Sequence, residues 1–103
     1  MKFSSINLVN DSDYEVLGLV KGSTVQTRNA LRDGLAGFKN IIGGEIKTYS
    51  DMLEKARVIS ENRMIEEAEK FNADEIIGVS YITNSFMDGC IEFLVYGTAI
   101  MHK

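Results

Sequence analysis

The chain has no proline and no tryptophan, a single cysteine (Cys90) and a single histidine (His102). One cysteine cannot close a disulfide within the chain, so a disulfide-stapled secreted scaffold is excluded and a reduced compartment is expected. One histidine, two residues beyond Ile100 near the end of the chain, leaves a nucleophile without a base in reach, so no catalytic site and no enzyme activity are expected. Positive charge is also short: Lys plus Arg number 11 against 15 for Asp plus Glu, a net charge of −4. No segment gathers the cations that a phosphate backbone requires, which argues against nucleic acid as a partner. No apolar run approaches the roughly 18 residues of a membrane span. The start, Met1-Lys2-Phe3-Ser4-Ser5-Ile6-Asn7, is broken by polar groups before a signal core develops, so a cytoplasmic protein with no membrane partner is expected.

What is present is an ordinary globular mixture, 45% hydrophobic and 25% charged over 103 residues. That length and composition suit a single domain spanning residues 1–103. A β-branched and leucine-rich run over Val16, Leu17, Leu19 and Val20 predicts a strand, bent at Gly22 or extended through Ser23-Thr24-Val25-Gln26. Asn29 can cap a short helix carrying Leu31, Leu35, Phe38 and Ile42 on one stripe, with Gly43-Gly44 as its stop. From Tyr49 the helical period resumes and runs to Phe71, and Asn72 suits the left-handed position past its end. On a helical wheel Tyr49, Met52, Leu53, Ala56, Ile59, Met64 and Phe71 make a sheet-facing stripe. Val58 and Ile65 fall on nearly the opposite side, which implies a second buried surface. Arg63 and Glu67, four residues apart inside the main stripe, read as a solvated pair at its edge.

The sharpest local signal is Asp88-Gly89 between two strand-like runs, Ile76 to Met87 and Cys90 to Met101, the pattern of a two-residue type I′ hairpin. Counting outward pairs Phe86 with Ile91, Asn84 with Phe93, Ile82 with Val95 and Ile76 with Met101 on one face. Met87 with Cys90, Thr83 with Leu94, Tyr81 with Tyr96, Val79 with Thr98 and Ile77 with Ile100 then share the other. Large apolar groups on both faces of a small antiparallel sheet, and on both sides of its helix, call for a homo-oligomer.

Few residues offer chemistry. Cys90 and Met87, cross-strand neighbours beside the turn, are a thiolate and thioether pair suited to a soft transition-metal ion such as Cu(I), yet supply only half a coordination shell. His102 lies roughly 40 Å along the same strand at about 3.3 Å per residue, too far to share that ion. Asp11 and Asp13 have the spacing of a calcium-loop start but lack its later ligands and read as a solvated turn. Gly34-Leu35-Ala36-Gly37 has GxxG spacing without flanking cations and reads as close helix packing.

Taken in order, Leu17-Gly18-Leu19-Val20-Lys21-Gly22, Asn29, Arg32-Asp33, Ala36-Gly37, Gly43-Gly44, Tyr49, Gly78-Val79 and Gly97-Thr98-Ala99 resemble the YbjQ-like family, over nearly the whole chain. That family comprises small, mostly bacterial proteins of unknown function that carry a heavy-metal-binding label. The resemblance implies a two-layer β-α-β-β unit of dodecin-like type that assembles into homopentamers, with Arg32 and Asp33 bridging subunits. The expectation is therefore an α+β homo-oligomeric binding protein, most simply a pentamer, taking a soft metal ion at Cys90 and Met87. Gly37, Gly43, Gly44, Val58, Ile65, Tyr81 and Tyr96 are its interface or structural positions. A rival expectation is an assembly binding an aromatic small molecule against Tyr81, Tyr96 and Phe93, and a third is a ligand-free scaffold.

Overall fold

The computed structural model describes residues 1–7, 11–27, 42–87 and 89–103. Elements follow in the order β1 (Lys2–Phe3), a 3-10 turn (Asp11–Asp13), β2 (Tyr14–Thr27), α1 (Ile42–Lys70), β3 (Glu75–Met87) and β4 (Cys90–His102). The sheet order is β1-β3-β4-β2. Three long strands are antiparallel as expected, and β1 adds itself parallel to β3, making the sheet mixed. Two paired residues are too short a run to show a period, which is why β1 leaves no signal in the sequence. Arg32, Asp33, Gly37 and most of the expected short helix lie outside the described residues.

Helix α1 begins seven residues before the expected Tyr49. Gly43 and Gly44 are thus not a stop but part of its first turn. The first amides of a helix have no partner four residues back, so glycine weakens little there. Its far end follows expectation: Asn72 takes φ 61°. The amide of Ala73 donates to the Ala68 carbonyl and that of Asn72 to Glu69, a Schellman closure.

The buried stripe of α1 is Met52, Ala56, Ser60, Met64 and Ala68. These recur every four residues, whereas Tyr49 and Phe71 at its ends are exposed. Small residues allow a close approach. At Gly22 an added Cβ would lie 1.9 Å from the Ser60 carbonyl oxygen and 2.6 Å from the Met64 nitrogen. Ser60 Oγ donates to the Phe93 carbonyl (3.2 Å), and Arg63 donates to the Ser23 carbonyl (2.6 Å) instead of serving only as a solvated partner of Glu67. The core joins Val20, Met64, Ala68, Ile76, Val79, Val95 and Ala99, with Ile65 packed on its flank. Ile65 thus packs in part against this core, since a residue 100° around from Met64 still reaches the edge of the cluster. Val58 is exposed, as the wheel implies.

The hairpin closes with Met87 opposite Cys90 and with Gly89 at φ 77°, as the turn chemistry requires. Beyond the turn the counted register fails. It shifts between Asn84 and Met87 and again between Ile77 and Ser80, so Tyr81 faces Val95 and Ile76 faces Ala99. The second shift is a bulge at Gly78-Val79 opposite Gly97, with Gly78 at φ 61°. Each extra residue reverses every side chain after it. Tyr81 and Val79 thus lie on the helix face, while Tyr96 lies on the outer face, opposite to the counted pairing. In β2 the irregularity falls between Val16 and Gly18, not at Gly22.

Candidate functional site: the outer sheet face and the hairpin tip

Alternation along β2, β3 and β4 places Leu19, Val25, Ile82, Leu94 and Tyr96 on the face away from α1. Leu19 is 65% exposed and Val25 50%. Only at the base of this face, around Tyr14, Ile77 and Ile100, do side chains bury one another. The chain is also drawn out, 57 × 23 × 21 Å with a radius of gyration of 17.1 Å, against about 13 Å for a compact domain of this length.

Cys90 and Met87 stand at the tip on this same outer face, with Thr27 beside Cys90 on β2. Met87 is exposed and Cys90 half-buried. Ser85 Oγ donates to the Cys90 carbonyl (3.3 Å), which ties the backbone of the turn. The donor types fit a soft ion. Their number does not: among the described residues no group of three or more His, Cys, Asp or Glu is arranged to hold a metal. His102 is at the other end of β4, as counting requires, and is the last residue of that strand.

A second polar constellation, invisible in the sequence, lies between α1 and the sheet. Glu61 is only 9% exposed. Its carboxylate accepts from Arg57 Nη1 (2.7 Å) and from the Tyr81 hydroxyl (2.6 Å), while Arg57 also pairs with Glu54. Loss of hydration at the hydroxyl, then the Glu61 hydrogen bond, pushes the Tyr81 phenol up to about 12. Hydrogen bonding to Arg57 lowers the Glu54 carboxyl. The Tyr81 ring meets Phe93 edge-on at 5.9 Å. Tyr81 and Phe93 are therefore held under the helix and Tyr96 is on the opposite face, so the three do not share one flat surface for an aromatic ligand. A shallow groove of about 240 Å³ is lined by Phe3, Ser4, Ser5, Val79 and Tyr81. That is below the usual range for small-molecule sites, roughly 300 to 1,000 Å³. Sequence reasoning missed Glu61 because a lone Glu on a helix reads as solvated, and only the register shift between Asn84 and Met87 turns Tyr81 toward it.

Fold and site together define a small α+β domain with one open apolar sheet face and two soft donors at its tip. A family described as "Putative heavy-metal-binding" matches residues 1–103. UPF0145 proteins are similar over most of the chain. That of Helicobacter hepaticus is 55% identical over 100 residues, 97% of this chain and 96% of that one. That of Thermus thermophilus is 49% identical over 86 residues, 84% and 75%. The chain belongs to this YbjQ-like UPF0145 family. A crystal structure from Pediococcus pentosaceus, a protein of unknown function in the DUF74 family, superposes with a TM-score of 0.63 at 16% identity. It covers 100% of this chain and 98% of its own, and shows the shared fold. Among the described residues, no helix is long and apolar enough to cross a membrane.

The motif glycines have structural reasons. Gly22 lies under the helix, Gly78 makes the bulge, and at Gly97 a Cβ would be 2.8 Å from Ile76 Cγ2. None of the matched motif positions is Cys or His, so the resemblance itself points to the fold and not to ligands.

Proposed function

We propose that the chain acts as a homo-oligomer, a pentamer as the family resemblance implies, whose copies bury the outer sheet face against one another. The observation that carries this is the set of exposed aliphatic groups, Val16, Leu19, Val25 and Ile82, on a sheet whose other face packs the core against α1. Its function on this reading is binding and not catalysis. The ligand is a soft transition-metal ion, held where the Cys90 and Met87 pairs of neighbouring copies converge, because one chain brings two donors and the ion needs more. The family description supports the ligand class; the shared location of tip donors and apolar face supports the link to assembly.

Native mass spectrometry of untagged protein, with sedimentation at micromolar concentration, tests the assembly; a clean monomer overturns it. Competition titration with Cu(I) tests the ion. Wild type is expected to bind less than one ion per chain, and Cys90→Ser to bind at least about tenfold more weakly, since thiolate is the strongest soft donor present. Equal affinities would remove the Cys90 site.

A further inference from the structure

The base of the sheet, opposite in position to the hairpin tip, holds the only imidazole of the protein in a set of contacts that neither the metal reading nor the assembly uses. His102 Nε2 lies 2.7 Å from Glu75 Oε1 and 4.0 Å from Asp74 Oδ1. The amide of His102 donates to Asp74 Oδ2 (2.9 Å). The next amide, of Lys103, donates to the Asp13 carbonyl, and that of Asp74 to the Ile100 carbonyl, each at 3.0 Å. The last residues of β4 are thus fastened to the turn before β3 on one side and to the 3-10 turn before β2 on the other. Beneath them sits the small buried cluster of Tyr14, Ile77 and Ile100.

We propose that His102, Glu75 and Asp74 form a proton-operated clasp: protonation of the imidazole fastens the end of β4 onto the start of β3, and deprotonation loosens that end of the sheet. The chemistry is that of a charge-assisted hydrogen bond. A protonated ring carries a full charge toward Glu75 and a second carboxylate nearby; a neutral ring keeps at most an ordinary hydrogen bond, about half as strong. Four other groups border the ring. Lys2 on β1 opposes its charge. Tyr14 is its register partner on β2, Asp13 supplies the carbonyl that takes the Lys103 amide, and Lys103 follows it in the chain. The protonated state is favoured: the Glu75 hydrogen bond, then the charge of Asp74, outweigh loss of hydration and the charge of Lys2 and raise the imidazole above its usual value. The linkage sign follows. The clasp's contribution is complete below the unfolded-chain value, about 6.5, and disappears as pH rises through the higher folded value. Histidine is the side chain that makes such a device work near neutrality.

Because the protein has one histidine, its ring proton resonance reports the clasp without assignment. Wild type is expected to titrate above the same chain unfolded in urea, and Glu75→Gln to move the midpoint back toward the unfolded one. Hydrogen-exchange protection of the His102 and Lys103 amides, corrected for intrinsic rate, should fall severalfold between about pH 5 and 8 in wild type. In His102→Gln it should be low and level across that range. A wild-type midpoint at or below the unfolded one, an unchanged midpoint in Glu75→Gln, or protection that does not vary with pH overturns the proposal. The exchange comparison of wild type with His102→Gln decides it even where Glu75→Gln does not fold. None of these measurements depends on a metal.

Discussion

The two faces of one sheet follow different rules. Under the helix, positions are small or fully buried: Gly22, Gly97 and Ala99 leave room, and Val20, Val95 and Ile76 fill it with essentially no exposure. On the other side the side chains are larger and open to solvent, with Leu19 and Val25 exposed on β2 and Ile82 on β3, either side of β4. If hydrophobic burial within one chain had shaped both, the outer face would alternate to polar residues as in other half-solvated antiparallel sheets. The contrast teaches that the helix face carries the folding of a single copy, while the outer face, on the reading proposed above, is built for a neighbouring copy.

The strongest way to break the comparison is on the helix face. Gly22→Ala puts a methyl group 1.9 Å from a helix carbonyl oxygen, so α1 must lift from β2. The expected loss is at least about 3 kcal/mol, the upper end of overpacking costs, read by urea unfolding. A loss under about 1 kcal/mol would mean that the helix does not cross at Gly22. Next in size is Tyr81→Phe, which takes one hydrogen bond from the nearly buried Glu61 carboxylate and leaves Arg57 as its remaining partner. About 1 to 3 kcal/mol should be lost. The pH dependence has a definite sign. With the folded phenol near 12 and an unfolded value of about 10, the stabilisation is complete below pH ~10 and vanishes as pH rises toward the folded value. Ultraviolet titration should find a late phenol step near the folded Tyr81 value, and in Tyr81→Phe that late step should be gone.

Much of the helix face was legible in the sequence, and the reason is periodic. Met52, Ala56 and Met64 recur at helical spacing, Asp88-Gly89 marks the turn, and Asn72 marks the helix end. What escaped were the features that interrupt a period. The irregularity between Asn84 and Met87 adds one residue that alternation cannot anticipate, and it turned Tyr81 and Val79 from the outer face to the helix face; the bulge at Gly78-Val79 then returns Ile77 to the outer face. Glu61 looked solvated because its partners, Arg57 four residues before it and Tyr81 on another strand, are assembled only by the fold. A surplus of apolar groups on the outer face was legible, but counting puts it at Tyr81, Val79, Ile77 and Ile100. In the structure Ile77, Val79 and Ile100 are buried, and the exposed groups are Leu19, Val25 and Ile82, the last of which counting puts on the other face. Cys90 and Met87 were legible as neighbours because the turn, one residue away, leaves no room for a slip.

The smallest effect on the folded copy is expected from charging the outer face, and it sharpens the comparison most. Leu19→Lys and Ile82→Lys together replace two exposed aliphatic groups on neighbouring parts of one surface, neither of which belongs to the Val20–Met64–Val95 core. Surface changes away from core, cap and network usually lie within about 0.5 kcal/mol. Urea unfolding at high dilution should therefore match that of a separated wild-type copy. Association should respond quite differently. Two unpaired ammonium groups per copy, brought against the same groups of a neighbour, must be desolvated without partners, and like charges facing each other cost several kcal/mol. Sedimentation should show wild type as the multimer and the double variant as single folded chains. If both sediment alike as multimers, copies join through some other surface, and the open apolar face needs another explanation.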